Sequence, residues 1–219
     1  ASPLLAIGGM AIVAALLLAA SRRGLLVDGG AGDHPAFVLP RGRVLLIGAV
    51  CFAMFLSEGA VLDWSAVFLS SVRHADPATA GFGYVAFAVT MTMGRLTGDR
   101  IVQALGAFRV VLCGALVAAA GFTLAILVPS PLAGLAGFAL VGAGAANVVP
   151  VMFSAAGRAR GMPTHLAVAA VTTMGYAGVL LGPAALGFLA DATSLAAALG
   201  LLVLLLMAVA SVARVATRD

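Results

Sequence analysis

The chain has 219 residues, of which 63% are hydrophobic and 9% charged, and its mean hydropathy is +1.18. A soluble domain carries roughly 45–50% apolar and about 25% charged residues, so this composition excludes a water-soluble globular fold. The net charge of +4 comes with twelve basic residues, all arginine, set singly or in pairs between apolar runs. That scatter excludes a phosphate-binding face, and no nucleic-acid partner is expected.

A spanning helix needs about 20 apolar residues to cross roughly 30 Å of hydrocarbon. Apolar runs read against breakers predict seven transmembrane helices in an all-α membrane protein, at 4–20, 43–71, 79–97, 107–128, 131–156, 164–190 and 194–213. The first lies in residues 1–20, which begin Ala1-Ser2-Pro3-Leu4 with no initiator Met, basic leader or cleavage motif. This predicts a retained span in a chain that starts inside a longer protein. Residues 21–42 (Arg22-Arg23, Gly29-Gly30-Ala31-Gly32-Asp33, Pro35, Pro40) lack helical periodicity and predict a flexible linker, leaving 43–219 as a six-helix unit.

Arginine placement predicts direction, because cytoplasmic loops retain positive charge. With the N-terminus outside and the C-terminus inside, eleven of the twelve arginines face the cytoplasm and only Arg73 faces outward. The outer turns, at 71–78, Pro129-Ser130-Pro131 and 191–194, are short and make successive helices antiparallel.

Cys51 and Cys113 both fall in apolar runs and are expected as small buried hydrophobes, with neither disulfide nor metal. His34, His74 and His165 are scattered, and no nucleophile elbow or phosphate loop occurs. No enzyme chemistry and no cofactor are therefore expected.

Ionisable groups at membrane depth are costly unless they face a cavity or a partner. Glu58 sits about 22 Å along its helix from Arg43, and Asp63 about 30 Å, near the interface where Trp64 would anchor. Glu58 is the leading candidate for substrate contact or proton coupling. Asp63 is rotated about 140° from it, so the two acids need not line one pathway. Asn147 needs partners in lipid, and Pro150 one turn later breaks the helical ladder. Tyr176 and Asn147 join Glu58 and Asp63 as candidate substrate- or proton-pathway residues. Gly178 and Gly182 with Pro183 suit close helix packing and bending, as does Pro150.

The segment Gly94-Arg95-Leu96-Thr97-Gly98-Asp99-Arg100 joins the third span to the fourth. It resembles the Gly-x-Leu-x-x-Asp-Arg loop of the major facilitator superfamily, with the acid one residue later than in the commonest form. The resemblance implies a cytoplasmic gating loop in which Gly94 and Gly98 let helix ends approach while Arg95, Asp99 and Arg100 form a breakable charge latch. Ser57-Glu58-Gly59-Ala60 followed by Asp63-Trp64-Ser65 is similar to the seventh helix of a bacterial inner-membrane subgroup of that superfamily.

This resemblance covers residues 43–213 and implies that the chain is the C-terminal half of a twelve-helix transporter, preceded by its sixth helix and central cytoplasmic linker. The last six spans would form one half-bundle of two inverted three-helix repeats. Gly83-Tyr84 precedes Asp99 by the same spacing that separates Gly175-Tyr176 from Asp191, a match that agrees with such repeats. The implied function is alternating-access transport of a small solute in the bacterial inner membrane, coupled to H⁺, with the lipid bilayer and the missing N-terminal half as partners. The alternative is a stand-alone seven-helix receptor or scaffold without transport activity.

Overall fold

The structure, a computed structural model, describes residues 40–159 and 161–218. All regular structure among these residues is helical: α1 (Arg43–Ser71), α2 (Pro77–Leu96), α3 (Gly98–Leu127), α4 (Pro131–Ala145), α5 (Val148–Gly157), α6 (Thr164–Ala192) and α7 (Leu195–Thr217). The expected first span at 4–20 and most of the linker at 21–42 lie outside the described residues.

Five helical runs are long and apolar enough to cross a membrane: α1, α3, α6, α7 and the continuous stretch Pro131–Gly157 formed by α4 and α5. The seven-span expectation is met to that extent. Its third span corresponds to α2, 20 residues long, whose threonines and glycines leave it less apolar than the others.

Local chemistry sets the helix boundaries. Asp76 accepts from the amides of Ala78 and Thr79, each at 3.1 Å, and Pro77 occupies the first turn, where no amide donor is needed. Pro131 does the same for α4, and Ser194 caps α7 by accepting from Ala197 N at 3.1 Å. Gly106 takes φ 78° and ψ 157° inside α3, a conformation that a Cβ would strain. It separates the polar turns before it from the apolar run that the sequence places at 107–128.

The break between α4 and α5 falls at Ala146 and Asn147, one turn before Pro150. Proline has no N–H to donate back to the carbonyl four residues earlier, which is that of Ala146. Pro183, by contrast, lies within an uninterrupted α6.

α1 forms the axis of the bundle, packing on α6 and α2 and touching α4, α5 and α7, while α3 lies against α4 and α7. Close approach is achieved with glycine. A Cβ on Gly121 would strike Gly137 O, one on Gly137 would strike Gly121 O, and Gly114 and Gly144 stand in the same reciprocal relation. These glycines are seven apart on each helix, so they share a face and form a seam along which α3 and α4 meet backbone to backbone. At the α1–α6 contact, Gly178 lies against Phe52 O and Gly182 against Leu56.

Two arginines tie helix ends together. Arg73, which follows α1, donates through Nε and Nη2 to Ala125 O at 3.1 and 2.8 Å and also to Ile126 O, with its guanidinium over the Phe68 ring. It thereby satisfies carbonyls that the C-terminus of α3 leaves unpaired. At the other end of the bundle, Arg43 donates to Ala216 O of α7 at 3.4 and 3.3 Å.

Cys51 is buried as expected. Cys113 is exposed, a correction to the expectation that both thiols are enclosed. Its apolar surroundings in the sequence describe a span, and within a span only packing decides which face turns to neighbouring helices and which turns away.

Candidate functional site

Glu58 projects from the middle of α1, its side chain 15% exposed, and its Oε2 lies 3.6 Å from Nη2 of Arg95 in the last turn of α2. Helical side chains lean toward their own N-terminus. Because α1 and α2 run antiparallel, Glu58 leans toward the end of the bundle where α2 stops, and Arg95 leans back toward the middle. The two therefore meet although Arg95 belongs, in sequence, to the loop motif.

The pair is loose. At 3.6 Å the contact is coulombic rather than hydrogen-bonded. Glu58 Oε1 is buried and has no hydrogen-bond partner among the described residues. Arg95 is 46% exposed, and among the described residues its guanidinium donates no hydrogen bond. Both charges thus keep unused bonding capacity on an otherwise apolar surface. Neither would tolerate membrane depth alone; the opposite charge offsets part of the desolvation cost.

Tyr176 of α6 stacks on Phe55 of α1, ring centroids 5.6 Å apart and planes 17° from parallel. Phe55 precedes Glu58 by one helical turn and so shares its face. Arg95, Glu58, Phe55 and Tyr176 form a strip across α2, α1 and α6, with Tyr176 itself exposed.

Asp63 is exposed and five residues beyond Glu58, off this strip. The next two residues of α1 carry buried atoms without partners among the described residues, Trp64 Nε1 and Ser65 Oγ. The indole faces Gly187 of α6 and Ser65 faces Gly83 of α2.

The structure places Asn147 at the α4–α5 break, 8% exposed, with Nδ2 donating to Gly94 O at 3.0 Å. Its Oδ1 lies so close to Gly98 that a Cβ there would collide with it, and a Cβ on Gly94 would come within 2.6 Å of Ala146 Cβ. Asn147 thus fastens the helix break to the two glycines of the loop motif. Asp99 and Arg100 are exposed in the first turn of α3. Asp99 lines a cavity of about 300 Å³ with Gln103, Pro150, Ser154 and Arg158.

The sequence points to Glu58 for a pathway and to Arg95 for a gating loop, and the structure pairs them. A signal existed: an acid at membrane depth needs a cation, and Arg95 is the arginine nearest to that depth on a neighbouring helix. The reciprocal glycine seam was likewise missed, although the sevenfold spacings Gly114/Gly121 and Gly137/Gly144 are in the sequence.

These features define a multi-pass α-helical membrane protein with an ion pair between α1 and α2. Over 218 residues, 99% of its length, the chain is 52% identical to an uncharacterised MFS-type transporter of Yersinia pestis, of which it covers 57%. It is also 36% identical over 177 residues to the membrane protein MosC of Rhizobium meliloti, covering 80% of this chain and 44% of that protein. A third relative, an uncharacterised transporter of Sinorhizobium fredii, is 37% identical over 158 residues, covering 72% of this chain and 42% of that protein. The chain thus spans about half the length of the curated relatives it matches. No family model matches it.

Proposed function

We propose that the chain supplies the C-terminal half of a major facilitator-type secondary transporter, which moves a small solute by alternating access coupled to H⁺. The observation that carries this reading is the Glu58–Arg95 ion pair at membrane depth, on a face of the bundle that the described residues leave open. Ionisable pairs in such positions mark substrate and proton pathways. Relatives named as transporters support the reading, as does the partial coverage of their length.

In this reading α1–α3 and α4–α7 are the two inverted three-helix repeats, with α4 and α5 forming one broken span. The arginine-rich end, which carries Arg43, Arg100 and Arg158, faces the cytoplasm of a bacterial inner membrane. Gly94, Gly98 and Asn147 hold that end together, while Asp99, Arg100 and Arg158 form a latch that opens as the halves rock. Glu58 carries the proton, and Arg95 replaces it as the counter-charge when the proton leaves.

The test is solute uptake by the complete transporter in proteoliposomes under an imposed pH gradient, comparing the parent with Glu58→Gln. Gradient-driven accumulation is expected to disappear in the variant, while exchange of solute across the membrane without a gradient persists. Unchanged gradient-driven accumulation would remove Glu58 from the coupling role.

A further inference from the structure

We infer that the Glu58–Arg95 site takes a small organic anion bearing a carboxylate, which binds Arg95 in place of Glu58. The inference rests on the reading of Glu58 as the proton-binding group and adds the chemical class of the solute. Three observations carry it. The guanidinium is half exposed and, among the described residues, donates no hydrogen bond. Its planar fork of donors matches a carboxylate in two parallel bonds, a geometry that the 3.6 Å contact to Glu58 does not use. One helical turn from Glu58, the stacked rings of Phe55 and the exposed Tyr176 offer an aromatic surface for the rest of a small organic molecule.

An organic cation fits the site less well. It would have to reach Glu58, whose side chain is only 15% exposed against 46% for Arg95, and it would strip Arg95, which stays charged, of its counter-charge. An anion on Arg95 has the opposite effect, because it leaves Glu58 without a counter-charge and so favours uptake of a proton there. One anion and one proton then enter together, with no change in the net charge of the site. The competition for Arg95 is itself the coupling: each event makes the other more favourable.

The ionisable surroundings of Glu58 are few. α2 carries Arg95 and Tyr84, α1 itself carries Arg43 at its start, Cys51 two turns away and the exposed Asp63, and α6 carries Tyr176 in its middle, with His165 and Asp191 near its ends. α4 and α5 contain no ionisable side chain, and α7 carries Arg214, whose guanidinium lies over the Phe108 ring. Glu58 and Arg95 are therefore the groups whose charges an incoming solute would reorganise.

The test is thermal stabilisation of the purified complete transporter by lactate, benzoate and succinate, with choline and tetraethylammonium as cationic comparisons, at several pH values. The carboxylates are expected to raise the unfolding temperature, more strongly as the pH falls. Arg95→Gln should weaken them by about tenfold or more, the loss of a charge-assisted hydrogen-bonded contact, and Arg95→Lys by less. Glu58→Gln should bind them more tightly than the parent and without the pH dependence.

Stabilisation by the cations instead, by neither class, or by carboxylates undiminished in Arg95→Gln would overturn the inference. If Arg95→Gln does not fold, the tighter, pH-independent binding expected of Glu58→Gln decides alone. Counterflow of the same carboxylates tests the transport reading separately. Binding without counterflow would support the anion site and count against transport; counterflow of cations alone would do the reverse.

Discussion

Arg95 Nη2 stands 3.6 Å from Glu58 Oε2, joining the last turn of α2 to the middle of α1. The pair links the two sequence motifs of the chain, one on α1 and one at the α2–α3 connection, which the sequence separates by more than a helix. Its consequence is that neither charge can be changed without altering the environment of the other.

A double-mutant cycle should show this. Glu58→Gln and Arg95→Met are each expected to lower the unfolding temperature in detergent, and the double variant should lose less than the sum. The coupling is expected at about 1 kcal/mol, modest because Arg95 is 46% exposed and partly screened. Strict additivity would mean that the contact contributes nothing to stability.

Gly98 should tolerate no side chain while Asn147 is in place. Gly98→Ala pushes a methyl group into Asn147 Oδ1, and overpacking of this kind costs about 1–3 kcal/mol. Combining it with Asn147→Ala should recover part of that loss, since the obstructing amide is gone. A double variant as unstable as the sum of the two singles would place the strain elsewhere.

The α3–α4 seam makes a sharper claim, because the obstructing atoms at Gly121 and Gly137 are backbone and cannot rotate away. Gly121→Leu should prevent stable assembly of the bundle, measured as loss of a monodisperse peak in size-exclusion chromatography. Gly200→Ala is the comparison, because nothing lies near a Cβ there, and it should behave as the parent does.

Asp76 gives a dependence on pH. Hydrogen bonds from Thr79 and Ala78 hold its carboxyl below the ordinary aspartate value of 3.8. A depressed folded-state value means that the charged cap stabilises the protein above the unfolded value and that this contribution is lost as pH falls through the folded one. The unfolding temperature of the parent should therefore exceed that of Asp76→Ala at neutral pH, and the difference should shrink below pH 3.8. A gap that stays constant through that range would exclude the charged cap as its source.

Much of the fold was legible because lipid imposes a simple rule: backbone groups must be satisfied within the segment, so long apolar runs become helices. The runs at 43–71 and 131–156, the separation of the 107–128 span at Gly106, and the disturbance around Asn147 and Pro150 all follow from composition and breakers. The site was legible in parts. Glu58 stands out in the sequence as a carboxylate within an apolar run, and Gly94 and Gly98 as glycines at a helix junction.

What only the tertiary structure decided is which of these parts face one another. Helical periodicity sets the face on which a residue lies, but not which helix covers that face or how far along it the neighbour is shifted. Hence Arg95 could be assigned to a loop while its guanidinium reaches back to Glu58, and Asn147 to a pathway while its amide is bonded to Gly94. In the same way Arg73, the lone arginine that the charge pattern predicts to face outward, caps the end of α3. The sequence determined the helices and the charges they carry; packing, through glycine contacts at the backbone, brought those charges into register.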